Sequence, residues 1–146
     1  MDIKRTNRGV CIDNFKASGA RDGGYGVALI VNDELCESAG VFTRNSVKAA
    51  PLELTQERVE GGLQALIINS GCANACVKGG VGDASRMCEI AAGQVGVNKE
   101  YVGVASTGII GRRLDLTKIR DLTIKASRFL SNSEEGSRLA AGAIMT

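Results

Sequence analysis

Short apolar runs alternate with a helical pattern in the middle of the chain. Residues 65–68 and 101–105 are mostly apolar and are bounded by small or polar residues, which predicts two buried strands. Between these runs, apolar positions recur every three or four residues, so one helix is predicted there. We expect Asp83 to be its N-cap and Gly96 to end it.

The first half of the chain favours strands. Residues 1–24 are interpreted as a short strand or two followed by a loop. Residues 26–31 and 36–43 are interpreted as a β-hairpin, because the polar turn residues 32–34 separate two apolar runs. Residues 52–59 are ambiguous between a helix and a strand that ends in a helical turn.

Two further helices are predicted toward the end of the sequence. The first begins after the N-cap Asp115, and the second begins at Ser133. A hairpin-like first half and alternating strands and helices in the second half indicate a mixed α/β fold. We interpret residues 1–146 as a single domain, because no linker, repeat or low-complexity segment divides them.

Composition and charge exclude several functional classes. With 146 residues, 44% of them hydrophobic, the chain is long enough to bury a real core. The net charge is only +2 and no basic block occurs, which argues against a nucleic-acid partner. The apolar runs are too short to cross a membrane, and residues 1–5 do not resemble a signal peptide, so we expect a cytoplasmic protein.

The five cysteines and the absence of histidine restrict the chemistry. An odd number of cysteines without a secretion signal predicts reduced thiols that serve as small buried apolar residues. Cys72 and Cys76 have C-x3-C spacing, but no second ligand pair accompanies them, so no metal site is predicted. Without histidine, a Ser-His-Asp or Cys-His site is excluded, and a carboxylate, an amine, water or another chain must move protons.

The end of the second apolar run is the strongest candidate site. There the chain passes through Ser106, Thr107 and Gly108, and Gly111 follows three residues later. A sharp turn with small side chains exposes backbone N–H groups and a hydroxyl, which is how an oxyanion site is built. An ordinary strand-to-helix turn is the alternative. The loop at residues 69–76 leaves a similar choice, between ligand contact and a loop held by its own asparagines.

Four segments of the sequence carry a resemblance to a known family. They are GVFTRN at 40–45, NSGCANA at 69–75, STGIIG at 106–111 and AIMT at 143–146. In this order they resemble the bifunctional ornithine acetyltransferases, also called glutamate N-acetyltransferases, of arginine biosynthesis. The resemblance spans residues 8–146, and it departs from the family at Cys72, where asparagine is common.

The resemblance implies a mixed α/β sandwich of the ornithine acetyltransferase and N-terminal-nucleophile aminopeptidase type. Members of the family cut themselves before a threonine, which then begins the β chain and transfers acetyl from N-acetylornithine to glutamate. Some members also use acetyl-CoA, no bound cofactor is implied, and a cytoplasmic α2β2 assembly is expected. Thr107 and Gly108 correspond to the residues that stabilise the oxyanion, and Thr146 corresponds to a substrate-binding threonine.

The sequence stops at Thr146, before the family's lysine- and glycine-rich segment and its self-cleavage threonine. We therefore expect the N-terminal part of an α chain, inactive by itself, with a β chain as the partner that supplies the nucleophile. One rival hypothesis is an N-terminal-nucleophile hydrolase or aminopeptidase of related fold. The other is a non-catalytic ligand-binding or assembly domain.

Overall fold

A four-stranded sheet and four α-helices make up residues 9–146, which are the residues that the computed structural model describes. No helix in this range has the length and apolar character needed to cross a bilayer. The predicted mixed α/β class is confirmed. The strands are β1 Phe15–Asp22, β2 Tyr25–Cys36, β3 Leu63–Ser70 and β4 Val102–Ser106, and the helices are α1 Ala50–Arg58, α2 Gly80–Val95, α3 Leu116–Ser127 and α4 Glu134–Ile144.

The strands lie in the sheet in the same order as in the sequence. β1 and β2 are antiparallel, β2 and β3 are antiparallel, and β3 and β4 are parallel, with α2 as the crossover between them. Because β3 and β4 are parallel, Ser70 and Ser106 end their strands at one edge of the sheet. The turn between β1 and β2 lies at that edge too, since Gly26 pairs with Ser70.

The two faces of the sheet pack against different helices, as the alternation of side chains along a strand requires. Leu29 and Ile67 belong to the larger core cluster, which includes residues of α1, α2 and α3. Ala28 belongs to a smaller cluster with Ala140 and Ala143 of α4. The helices therefore cover both faces of the sheet.

The hairpin predicted from residues 26–31 and 36–43 is wrong, because the structure forms its hairpin one strand earlier in the chain. The hairpin joins β1 to β2 through Gly23 and Gly24, and residues 32–34 lie within β2. There the register shifts, and the buried Asn32 side chain accepts a hydrogen bond from the amide of Glu34 at 2.9 Å. The polar residues 32–34 thus form an irregularity inside β2 and not a turn. Only the first residue of the strand predicted for 36–43, Cys36, lies in a strand, and there β2 ends. Of the strands expected in residues 1–24, β1 is confirmed, whereas residues 1–8 lie outside the described range.

The helix boundaries mostly follow the sequence. Asp115 caps α3 by accepting from the amide of Lys118, Ser133 caps α4, and α2 ends at Gly96 as predicted. Both buried strands of the second half are confirmed as β3 and β4, and the ambiguous residues 52–59 lie mainly in α1.

Asp83 is not the N-cap of α2, so this prediction is wrong. The helix begins at Gly80, about one turn earlier, because the turn at Gly79 already starts it. Asp83 is only 4% exposed, and its carboxylate binds the guanidinium of Arg113, with Nε 2.9 Å from Oδ2. The carboxylate therefore joins the start of α2 to the loop that follows β4.

Candidate oxyanion site

Two signature segments run side by side where β3 and β4 end. Thr107 donates its amide hydrogen to the carbonyl of Asn69 at 2.9 Å, which continues the pairing of the strands. Farther along, Ala73 donates to the carbonyl of Ile109 at 3.0 Å, and Ile109 donates to that of Gly71 at 3.4 Å. The loop after β3 and the loop after β4 therefore act as one hydrogen-bonded unit.

Glycines allow three backbone segments to meet at this edge. Gly108 has a φ of +132°, and a Cβ there would overlap the carbonyl carbon of Gly71 and lie 2.5 Å from the amide nitrogen of Cys72. Gly71 has a φ of +98°, and a Cβ on it would overlap the carbonyl oxygen of Gly24. Only glycine fits such contacts at such backbone angles. The β1–β2 turn thus supports the loop after β3, which in turn supports the loop that carries Thr107.

Two hydrogen-bond donors at this supported turn have no partner within the described residues. Thr107 and Gly108 are both exposed. The amide of Thr107 is occupied by Asn69, but within residues 9–146 no acceptor is assigned to the Thr107 hydroxyl or to the Gly108 amide. A hydroxyl and an N–H on consecutive residues, held on a backbone that the neighbouring loops fix, are suited to a developing negative charge. Thr107 and Gly108 thus remain a candidate pair of oxyanion donors, exposed on a turn that packs against the loop after β3.

Thr146 lies at the same edge of the sheet, at the end of α4. Ser70 donates its hydroxyl hydrogen to the carbonyl of Ala143 at 2.7 Å. Arg21, at the end of β1, donates to the carbonyl of Gly142 at 3.2 Å and also to that of Met145. These bonds fix the residues just before Thr146. No hydrogen bond or ion pair within the described range joins Thr146 to Thr107, so the two are placed independently.

The signature segment at residues 40–45 is not part of this unit. It is irregular and mostly exposed, and its hydrogen bonds are local, such as that from the amide of Asn45 to the hydroxyl of Thr43 at 3.2 Å. Across residues 9–146, no hydrogen bond connects it to the loops after β3 and β4. Of the four segments that carry the resemblance, three thus meet at the sheet edge.

The loop at residues 69–76 is held by its own asparagines. Asn69 and Asn74 are fully buried, and their Nδ2 atoms donate to the carbonyls of Cys72 at 2.9 Å and of Gly80 at 2.8 Å. These bonds favour a structural role for both amides over direct ligand contact. The local sequence does not predict which carbonyls these asparagines bind. It also does not predict that Arg21 binds the end of α4 or that Arg113 binds Asp83 of α2.

The cysteines only partly follow the prediction. All five are reduced, and Cys11, Cys72 and Cys88 are buried, but Cys36 is half-buried and Cys76 is exposed, so these two are not core residues. Among the described residues no group of cysteines and carboxylates could hold a metal ion. Burial raises the pKa of the Cys88 thiol, although the nearby Arg58 opposes this.

These differences predict the order of thiol modification. In the native chain at neutral pH, we expect a maleimide to label Cys76 first and Cys36 more slowly. Cys11, Cys72 and Cys88 should react only after unfolding, because they are buried. Peptide mass spectrometry after timed labelling measures this order, and labelling of Cys88 before Cys76 would contradict the packing.

Comparison with known proteins agrees with the fold and with the resemblance. Residues 14–146 match the model described as the ArgJ family. The chain is 43% identical over 150 aligned positions to "Glutamate N-acetyltransferase" of Methanothermobacter thermautotrophicus, covering 100% of this chain and 37% of that protein. It is 46% identical over 140 positions to "Arginine biosynthesis bifunctional protein ArgJ" of Symbiobacterium thermophilum, covering 94% and 34%.

A solved structure shares the architecture. It is that of ornithine acetyltransferase complexed with ornithine from Mycobacterium tuberculosis, with a TM-score of 0.88 and 35% identity. The match covers 96% of this chain and 80% of that one. The predicted ornithine acetyltransferase type of fold is thus confirmed. The chain spans only about a third of the length of the curated relatives, 37% and 34% in the two cases above.

Proposed function

The chain belongs to the ArgJ family, and from that membership we propose that it forms part of an acetyltransferase of arginine biosynthesis. The reaction is acetyl transfer from N-acetylornithine to glutamate through an acetyl-threonine intermediate. In this proposal Thr107 and Gly108 stabilise the oxyanion and Thr146 binds substrate. The observation that carries the proposal is a pair of donors without a partner within residues 9–146, the Thr107 hydroxyl and the Gly108 amide, on a loop that packs against the backbone of Gly71.

Each half of the reaction needs such a pair of donors. In the first half, a threonine hydroxyl attacks the acetyl carbonyl of N-acetylornithine, and its proton passes to the threonine's own α-amine. The carbonyl oxygen becomes an oxyanion, which the Thr107 hydroxyl and the Gly108 amide stabilise. When this intermediate collapses, the ornithine amine leaves with the proton. In the second half, the neutral glutamate amine attacks the acetyl-threonine ester, and the same donors stabilise a second oxyanion. The amine's proton passes through the threonine's α-amine to the departing threonine oxygen, which restores the hydroxyl.

An amine base is compatible with a chain that has no histidine. An α-amino group has an unperturbed pKa of about 8, so a useful fraction is neutral near physiological pH. We propose that the nucleophile lies in a β chain that self-cleavage produces and that assembles with this chain as α2β2. Support for the division into two chains comes from length: this chain covers 80% of the solved ornithine acetyltransferase chain but only 37% and 34% of the two curated relatives.

The test uses the complete enzyme, which contains this chain together with the polypeptide that corresponds to the rest of the curated relatives. We expect stoichiometric formation of N-acetylglutamate and ornithine from N-acetylornithine and glutamate. Mass spectrometry of a reaction stopped before glutamate is added should show one acetyl group on the N-terminal threonine of the partner chain. Release of acetate with no acetylglutamate would instead indicate a hydrolase, and no turnover of acetylated amines would indicate a non-catalytic domain.

A further inference from the structure

Asn69 is the residue that bonds to both loops of the candidate site, to one through its main-chain carbonyl and to the other through its side chain. It is the penultimate residue of β3, it is fully buried, and its register partner in β4 is Ser106. Its carbonyl accepts from the amide of Thr107 at 2.9 Å, and its Nδ2 donates to the carbonyl of Cys72 at 2.9 Å and weakly to that of Ser70 at 3.4 Å. One residue thus contacts both the loop that carries the donors and the loop that supports it.

The orientation of the Asn69 amide follows from its surroundings. Its nitrogen faces two carbonyl oxygens, and the reverse orientation would place Oδ1 against both of them. Oδ1 itself is buried with no partner among the described residues, and so is the hydroxyl of Ser106 opposite it. A buried amide that uses only half of its hydrogen-bonding capacity is unfavourable for stability. Such a residue at a strand end points to a role beyond packing.

We propose that Asn69 is a positioning residue for acetyl transfer, whose side chain and main-chain carbonyl together hold the turn that presents Thr107 and Gly108. This inference rests on the proposed function. A continuous series of contacts connects the Asn69 side chain to Gly108. Asn69 Nδ2 donates to the carbonyl of Cys72, and Gly108 packs on the Gly71–Cys72 peptide. Ile109 is hydrogen-bonded to both Gly71 and Ala73. Loss of the side-chain bond therefore loosens the surface that sets the position of the Gly108 amide.

The principal variants are Asn69→Asp and Asn69→Ala in the complete enzyme. Aspartate keeps the shape but replaces the donor with an oxygen that faces two carbonyls, whereas alanine removes the donor without adding a charge. We expect kcat for acetyl transfer to fall roughly tenfold to a hundredfold with KM changed less than about twofold, because displaced donors weaken the transition state and not substrate binding. If one of the two variants does not fold, the other one alone tests the proposal.

The matched control is Thr123→Val. Thr123 is also fully buried and also donates to a backbone carbonyl, that of Ile119 at 2.6 Å, but it lies in α3. Valine keeps its shape. We expect this variant to alter thermal stability at most and to leave kcat unchanged. If Asn69 contributed to stability alone, its variants would likewise lower thermal stability and leave kcat unchanged.

Hydrogen exchange supplies a readout that does not depend on turnover. In the Asn69 variants the amides of Ala73 and Ile109, which bridge the two loops, should exchange faster, while the amide of Ile119 in α3 should be unchanged. Unchanged exchange of Ala73 and Ile109 overturns the proposal whether or not the wild-type enzyme transfers acetyl. Faster exchange with an unchanged kcat also overturns it. A wild-type enzyme that transfers no acetyl refutes the proposed function separately, since the exchange result then still decides whether Asn69 holds the loops.

Discussion

Thr107→Ala in the complete enzyme should lower kcat for acetyl transfer about a hundredfold, because one of two oxyanion donors is lost. The Thr107 side chain makes no hydrogen bond within residues 9–146, so its removal leaves the neighbouring structure intact. Its main-chain bond to Asn69 at 2.9 Å does not depend on the side chain. KM should therefore change little, and steady-state kinetics with N-acetylornithine and glutamate measure both constants.

Thr107→Ser is the matched control, since it keeps the hydroxyl and removes only a methyl group. It should retain most of the activity. Because an oxyanion forms in each half-reaction, Thr107→Ala should slow acetylation of the enzyme and transfer to glutamate by similar factors. If the alanine variant kept the wild-type kcat, Thr107 would not be an oxyanion donor. A rise in KM alone would show that Thr107 binds substrate instead.

The sequence predicts the backbone around the candidate site well where the signal is local. The apolar run before Ser106 forms β4, and at the turn that follows it the Thr107 hydroxyl and the Gly108 amide have no acceptor within residues 9–146. The caps at Asp115 and Ser133 are equally local, since each side chain accepts a bond from the amide three residues ahead. Such interactions depend on neighbours in the chain, so residue type and spacing suffice to predict them.

The support of the turn depends on distant residues and could not be predicted. Gly24, Gly71 and Gly108 are far apart in the sequence, and each is an ordinary turn glycine by itself. Their contact follows from strand order, and strand order depends on the hairpin that we predicted one strand too late. Asp83 was mistaken for a cap for the same reason: its partner is Arg113, thirty residues away. The family resemblance proposes the site, but only the fold shows the backbone contacts that support it.

The contact between glycine backbones also explains how this edge fixes its donors without large side chains. Main-chain groups have fewer rotatable bonds than long polar side chains, so fixing them costs less entropy at the moment of reaction. The amide of Gly108 is held by its packing on the peptide that joins Gly71 to Cys72. The same contact makes the site sensitive to the addition of a single carbon atom.

Gly108→Ala should therefore disrupt the structure of this edge strongly. The new Cβ would overlap the carbonyl carbon of Gly71 and lie 2.5 Å from the amide nitrogen of Cys72, on a residue with a φ of +132°. Both contacts are with backbone, which cannot turn aside as a flexible side chain can. We expect a destabilisation on the order of 3 kcal/mol, from overpacking and backbone strain together. Since the Gly108 amide is displaced as well, acetyl transfer should be nearly abolished.

Gly93→Ala is the control that separates this clash from the general effect of replacing glycine. Gly93 is exposed in α2, and a Cβ there meets nothing within 4 Å. Alanine in a helix should stabilise it by about 0.5–1 kcal/mol. Thermal unfolding of the complete enzyme should thus shift upward for Gly93→Ala and downward for Gly108→Ala, with activity retained only in the former. If Gly108→Ala instead unfolded at the wild-type temperature with full activity, the loops could not be packed backbone to backbone, and the fixed position of the two donors would have no structural basis.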